Sequence, residues 1–300
     1  MKKYYSQALY RVYLLLVSTT LFSSCASKLT DLPFNQMGAV ERVDNLSDDN
    51  YWEFNPSFSG DGKMVVFARS EVNFSNTHIC VSEKKGENWT FPKLISFSDS
   101  AYVDSDPTFS VDGNYLYFIS DRPAPGKTGK DLDIWRVRKN TSSWDEPEWL
   151  GPNINSPDME LGPMVLENKI YFGSSRPNGV GALDIYQADL DAAKESRPIL
   201  FRDSINSPSM EGDIEFFAKG KQIVFWSNRK GGKGRGDIYW SQLIKKTKKW
   251  STPESLKGAI NSENHEFTPT ISGDGKWIYF ARMIRTGTSQ TCDIYRFKIR

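Results

Sequence analysis

At 300 residues, with 38% hydrophobic and 25% charged residues and a formal net charge of +1, the chain has material for one large domain or two small ones. Disorder, a collagen-like repeat and a multi-pass membrane protein are excluded by the same figures. The 18 Phe, 13 Tyr and 9 Trp, with 22 Gly and 15 Pro, favour many short strands and tight turns over helices. Only His78 and His265 are available for imidazole chemistry, which leaves little material for a histidine-based triad or a zinc centre.

In chain order, residues 1–24 read as a leader rather than as fold. Lys2, Lys3 and Arg11 form a basic flank, and Val12 to Phe22 is an apolar stretch broken only by Ser18, Thr19 and Thr20. A bilayer span needs about 20 apolar residues, so this stretch has the size of a signal-peptide core instead. The Ser23-Ser24-Cys25 that follows resembles the bacterial lipobox, with Phe22 where leucine is usual. That resemblance implies that Cys25 is lipidated and becomes the first residue of the mature chain. Each buried methylene of a lipid chain contributes about 0.8 kcal/mol, so the three acyl chains of this class would anchor durably. The implied location is the bacterial outer membrane, facing the periplasm or the surface, with residues 25–40 as a tether. Loss of residues 1–24 removes three basic side chains and no acid, which turns the net charge slightly negative. With both signs mixed and no polybasic run, nucleic acid is not an expected partner.

From residue 41 onward the chain repeats itself. Asn55-Pro56-Ser57-Phe58-Ser59-Gly60-Asp61-Gly62 is matched by Asp106-Pro107-Thr108-Phe109-Ser110-Val111-Asp112-Gly113 and by Thr268-Pro269-Thr270-Ile271-Ser272-Gly273-Asp274-Gly275. Degenerate copies start at Gly162-Pro163 and Asp213-Ile214, and a closing Phe recurs at 67, 118, 172, 225 and 280. Asp-Gly ends each first strand of the three full copies, a strong hairpin signal. The second strand leads into Ser120-Asp121-Arg122, Ser174-Ser175-Arg176 or Ser227-Asn228-Arg229. The third opens with Asp133-Ile134-Trp135, Asp184-Ile185-Tyr186, Asp237-Ile238-Tyr239 or Asp293-Ile294-Tyr295. A Trp-x-x-Pro turn, at Trp89, Trp144 and Trp250, precedes a fourth strand that leads to Ile154-Asn155-Ser156, Ile205-Asn206-Ser207 or Ile260-Asn261-Ser262. Four short strands in about 50 residues make a propeller blade.

This set of motifs resembles the TolB-type, WD40-like β-propeller repeat, over roughly residues 41–300. The expected fold is therefore all-β: a five-bladed β-propeller of four-stranded antiparallel blades. The last repeat lacks a fourth strand, and Glu41 to Ser47 matches Glu254 to Ile260 in place and character. The N-terminal segment is expected to supply that strand and close the ring, which removes an exposed sheet edge. Cys80 and Cys292 then fall on third strands of separate blades, beyond the roughly 7 Å reach of a disulfide, and are expected as buried thiols.

Three residues before the Pro-equivalent position an acid recurs in every repeat: Glu53, Asp104, Glu160, Glu211 and Glu266. Inner strands line a propeller's channel, so these five are the expected site at one channel mouth. They would bind a cation, or a basic group of a peptide or protein. No resident cofactor is expected; a cation on the axis would be oxygen-ligated and Ca²⁺-like. The other reading is an ion pair within each blade, through Arg122, Arg176 and Arg229. Arg69 and Arg282 are displaced in the first and last repeats, which makes Glu53 and Glu266 the better candidates for a free site. The Asp of Asp-Ile-Tyr recurs too often for a catalytic acid and reads as a hydrogen bond to turn amides. Two function classes follow. One is a non-enzymatic, lipid-anchored module that binds an envelope protein or glycan, with no catalytic residues. The other is a glycoside hydrolase with carboxylates pointing into the channel, which calls for acids at blade-specific positions. The near-symmetric acid set favours the binding module.

Overall fold

In the computed structural model the described residues are 38–127, 129–141, 143–190, 197–201 and 204–299. The expected leader, Cys25 and most of the tether lie outside them. Five antiparallel sheets follow one another along the chain. Blade one contains Trp52–Phe58, Met64–Ser70, His78–Lys85 and the short outer pieces Asn88–Trp89 and Lys93–Leu94. Blade two contains Asp104–Phe109, Tyr115–Ser120, Asp133–Arg138 and Glu148–Trp149. Blade three contains Glu160–Leu166, Lys169–Ser174, Asp184–Asp189 and Ile199–Leu200. Blade four contains Glu211–Phe217, Gln222–Ser227, Asp237–Ile244, Lys249–Trp250 and Glu254–Ser255. Blade five contains His265–Ile271, Trp277–Thr286 and Ser289–Lys298, and its outer strand is Val40–Arg42.

The ring closes as the repeats require. Val40, Glu41 and Arg42 pair antiparallel with Phe297, Arg296 and Tyr295, and the Val43 amide continues the ladder to the Ile294 carbonyl at 2.9 Å. The inner strands touch one another in cyclic order, blade five against blade one included. Among the described residues there is no α-helix, and no helix is long and apolar enough to cross a membrane.

Burial explains the strand sequences. A second strand is covered on both faces by neighbouring blades, so it reads as a continuous apolar run, as in Met64-Val65-Val66-Phe67-Ala68. The recurring Phe67, Phe118, Phe172, Phe225 and Phe280 are all 0% exposed. The core lies in layers between blades: Val66, Ile79 and Ile95 of blade one pack with Phe109, Leu116 and Phe118 of blade two. Trp144 packs on Phe97 and Phe109, and Trp250 on Phe201 and Phe216, so those Trp-x-x-Pro turns serve blade packing. Cys80 and Cys292 are buried free thiols in different apolar clusters.

The polar motifs are turn chemistry. Ser59 Oγ donates to Asp61 Oδ1 at 2.7 Å and accepts the Met64 amide at 2.9 Å, which lets Gly62 take its φ of +67°. The same bonds recur at Ser110–Asp112 and Ser272–Asp274. Asp184 accepts the Val180 and Gly181 amides, and Asp237 those of Lys233 and Gly234. Asn155, Asn206 and Asn261 each bond both main-chain groups of an Ile on the third strand, completing the blade where the outer strand has ended.

Candidate functional site

The five recurring acids sit at the starts of the inner strands, and all are 0% exposed. Each takes its own guanidinium. The pairs are Glu53–Arg69 at 2.9 Å, Asp104–Arg122 at 2.8 Å, Glu160–Arg176 at 2.9 Å, Glu211–Arg229 at 3.1 Å and Glu266–Arg282 at 2.8 Å. Glu53 and Glu266 are thus as closely paired as the other three, which corrects the expectation that their arginines are out of place. Arg69 and Arg282 start two residues earlier than Arg122, Arg176 and Arg229, directly opposite their acids in the ladder. A long side chain reaches the same place from either position. Arg282 lies over Phe280 and Tyr295 and bonds the Ile260 carbonyl, just as Arg176 lies over Phe172 and Tyr186 and bonds the Ile154 carbonyl.

Each acid also ties down the loop entering its blade. Glu160 accepts the Ser156 amide and hydroxyl, Glu211 those of Ser207, and Glu266 those of Ser262. Burial pushes the Glu53 carboxyl up to about 7 despite Arg69, and raises Asp104 and Glu160. None of the five lines the axial cavities. Their geometry is that of staples at the blade entrances. Among the described residues no three His, Cys, Asp or Glu side chains gather as a metal centre would require.

The axis is lined two residues further along. Each inner strand carries a β-bulge there, and the residue before the Pro-equivalent position is left-handed: Asn55 (φ 50°), Asp106 (52°), Gly162 (53°), Asp213 (49°) and Thr268 (52°). The side chains at this level accept amides from the next blade. Thr268 Oγ1 takes the Asn55 amide at 3.1 Å, and Asp106 Oδ2 takes the Gly162 amide at 2.9 Å. Asp213 takes the Thr268 amide and is also bonded by the Asn55 and Trp226 side chains. Blade three has no side chain at this level, and Asp213 occupies the space: a Cβ on Gly162 would lie 2.3 Å from Asp213 Oδ1. Asp106 and Asp213 therefore flank one glycine.

Below this level the axis narrows to a void of about 30 Å³ among Pro56, Pro107, Pro163, Ile214 and Pro269, room for about one water. Above it opens a funnel of about 420 Å³. Its walls are apolar, with Phe54, Leu161, Leu183, Trp226, Phe267 and Met283 among them, and its floor holds Asn55, Asp106, Asp213 and Thr268. Among the described residues no lysine or arginine lines it. Burial and the nearby Asp106 push Asp213 up to about 8, and burial raises Asp106. Burial also depresses His265 on the wall to about 4, so its ring is neutral against Trp226 and Phe267.

Phe74 overhangs the funnel from the loop between the second and third strands of blade one. It packs edge-on against Trp52 and Phe54, both with centroids at 5.0 Å, yet stays 42% exposed. Asn73, Phe74 and Asn76 are all left-handed, at φ 65°, 60° and 48°. A bulky aromatic at positive φ stores strain of about 1–3 kcal/mol, of the kind found at ligand clamps.

Asp106, Asp213 and Phe74 were not among the sequence-level candidates. A signal for the two acids exists all the same: the residue before the Pro-equivalent position (Ile214 in the fourth repeat) is Asn, Asp, Gly, Asp and Thr in the five repeats, the place where an otherwise regular motif disagrees with itself.

No family model matches the chain, and no curated protein matches it. Solved structures do. An α-L-arabinofuranosidase from Lactobacillus brevis is similar at a TM-score of 0.53 and 11% identity, over 85% of this chain and 94% of that one. A thermostable family-43 glycoside hydrolase is similar at 0.52 and 11%, over 83% and 93%. A putative TolB from Agrobacterium tumefaciens is similar at 0.48 and 14%, over 81% and 76%. Identities this low show a shared propeller fold and nothing finer.

Proposed function

We propose that the protein is a non-enzymatic, TolB-like binding module, anchored through a lipidated Cys25 in the bacterial outer membrane, whose funnel receives an apolar group of an envelope protein. The observation that carries this reading is the funnel itself. A cavity of about 420 Å³ walled by aromatic and aliphatic side chains is sized and lined for an apolar guest. A sugar would need many polar partners on those walls, so a protein partner fits better than a glycan.

The two acids on the floor are the feature a glycoside hydrolase would use, and they sit at the blade-specific positions that chemistry calls for. Glycoside hydrolysis needs one carboxyl free to protonate the leaving group and another free to attack or to activate water, about 5–9.5 Å apart. Asp106 and Asp213 are instead engaged by main-chain amides and meet at Gly162. That engagement supports binding over hydrolysis.

Two measurements test the proposal. Replacing Cys25 with Ala should shift the protein out of the membrane fraction. A photo-reactive residue in place of Phe74 should capture one discrete envelope protein, and the same residue in place of Val111, outside the funnel, should not. Turnover of an aryl α-L-arabinofuranoside that disappears in Asp213→Asn would replace this reading with the hydrolase.

A further inference from the structure

The acids of the inner strands are treated in two ways. Five of them have an arginine each. Asp106, Asp213 and Glu215 have none: Asp106 is bonded by the Ser105 hydroxyl and the Gly162 amide, Asp213 by the Thr268 amide, Asn55 and Trp226, and Glu215, beside the narrow void and not the funnel, by the Ile271 amide and the Thr270 side chain. Buried carboxylate charge without a counter-ion is costly, and the fold supplies arginines freely elsewhere. Here it leaves the Asp106 and Asp213 carboxyls facing a cavity with no lysine or arginine among the described residues of its walls. The complementary guest carries a cation at its leading end and apolar groups behind it.

The walls narrow the choice. Phe54, Trp226 and Phe267 offer ring faces and edges near the floor, and Phe74 covers the mouth. Aromatic rings suit an ammonium as well as an apolar side chain. A lysine in the middle of a partner's loop would bring a thin stem into a space of about 420 Å³ and leave most of it empty. A chain end enters alone, and if its first residue is large and apolar it places ammonium and bulk side by side. Resting on the reading of the funnel as a protein-binding site, we infer that its occupant is the free amino terminus of a partner chain that begins with a large apolar residue, with Asp106 and Asp213 as the counter-ion for its ammonium.

The probe is a short peptide, Phe-Leu-Gly amide, with and without N-terminal acetylation, titrated calorimetrically into the full-length protein in detergent. The free peptide should bind at least ten-fold more tightly than the acetylated one. That preference should vanish in the double variant Asp106→Asn, Asp213→Asn, whose melting is followed in parallel. Should that variant fail to fold, Val103→Lys serves instead. It places a cation on the funnel wall and should abolish binding of the free peptide. Equal binding of free and acetylated peptides would overturn the inference while leaving an apolar-binding funnel in place. Binding of 2-phenylethylammonium as tightly as the peptide would overturn it in favour of a small amine. If no probe binds, the inference and the protein-binding reading of the funnel both fall.

Discussion

Two sets of carboxyls lie two residues apart on the same inner strands, and they have opposite surroundings. Glu53, Asp104, Glu160, Glu211 and Glu266 occur in every blade, are 0% exposed and are ion-paired. Asp106 and Asp213 occur in two blades and open onto a cavity with no lysine or arginine among the described residues of its walls. The recurrent set does the same work five times, joining a blade to the loop that enters it. The irregular set also joins blade to blade, through the Gly162 and Thr268 amides, but recurs in only two of the five. On the proposed reading, the five recurring pairs hold the blades and the ligand is served where the repeat breaks.

The sharpest way to break this contrast is to remove one arginine. Arg282→Ala strands Glu266 as an uncompensated buried charge and should cost about 3–5 kcal/mol in denaturant unfolding. Arg176→Ala should cost the same, although its arginine starts from a different backbone position. A loss below about 1 kcal/mol in either would show that the pairs do not hold the blades.

Next in size is Gly162→Ala. The added methyl would meet Asp213 Oδ1 at 2.3 Å on a backbone at φ 53°, so a loss of about 1–3 kcal/mol is expected. Unchanged stability would mean that Asp213 does not fill the space beside that glycine.

The pH dependence separates the two sets further. Asp213 and Glu215 are pushed to about 8 and Glu53 to about 7, all mainly by burial. Between their unfolded values near 4 and those raised values the folded protein holds protons that the unfolded chain has released, so stability falls as pH rises. His265, depressed to about 4 from 6.5, acts in the opposite sense as pH falls below 6.5. The window from pH 6.5 to 8 is therefore free of its effect, and unfolding free energy should decline across it. Asp213→Asn should flatten the decline and recover about 1–3 kcal/mol at pH 8. A decline of undiminished slope in that variant would assign it to Glu215 and Glu53.

The smallest effect on stability is expected at Phe74. Phe74→Gly relieves a left-handed aromatic while losing its contacts with Trp52 and Phe54, and the two should cancel to within about 1 kcal/mol. Peptide binding, by contrast, should weaken five-fold or more. A large loss of stability would make the Phe74 loop a structural buttress.

The blades and the turn roles of Ser-x-Asp-Gly and Asp-Ile-Tyr were legible in the sequence because each recurs, and recurrence reports local chemistry; the closing strand and the buried thiols followed from the fourth strand missing in the last repeat and from third-strand placement on separate blades. The partners of Glu53 and Glu266 were obscured because ladder position alone ignores the reach of an arginine. The funnel floor was hidden by the bulge. A left-handed residue at 55, 106, 162, 213 and 268 re-aims side chains in a way that strand alternation does not anticipate. Phe74 was hidden because the loop between the second and third strands differs in sequence from repeat to repeat.

The closing strand has a consequence for how the molecule comes into being. Glu41 and Arg296, joined at 2.9 Å, are 255 residues apart, so the strand at Val40–Arg42 must wait for a partner made far later. Bringing those ends together from an unstructured chain would cost roughly 5 kcal/mol in loop entropy. Once the blades have stacked in order the ends are already neighbours and that cost has been met piecemeal. A chain that lacks the residues near 295 leaves the Val40–Arg42 strand without its ladder and the ring open at a sheet edge, a template for the wrong partner.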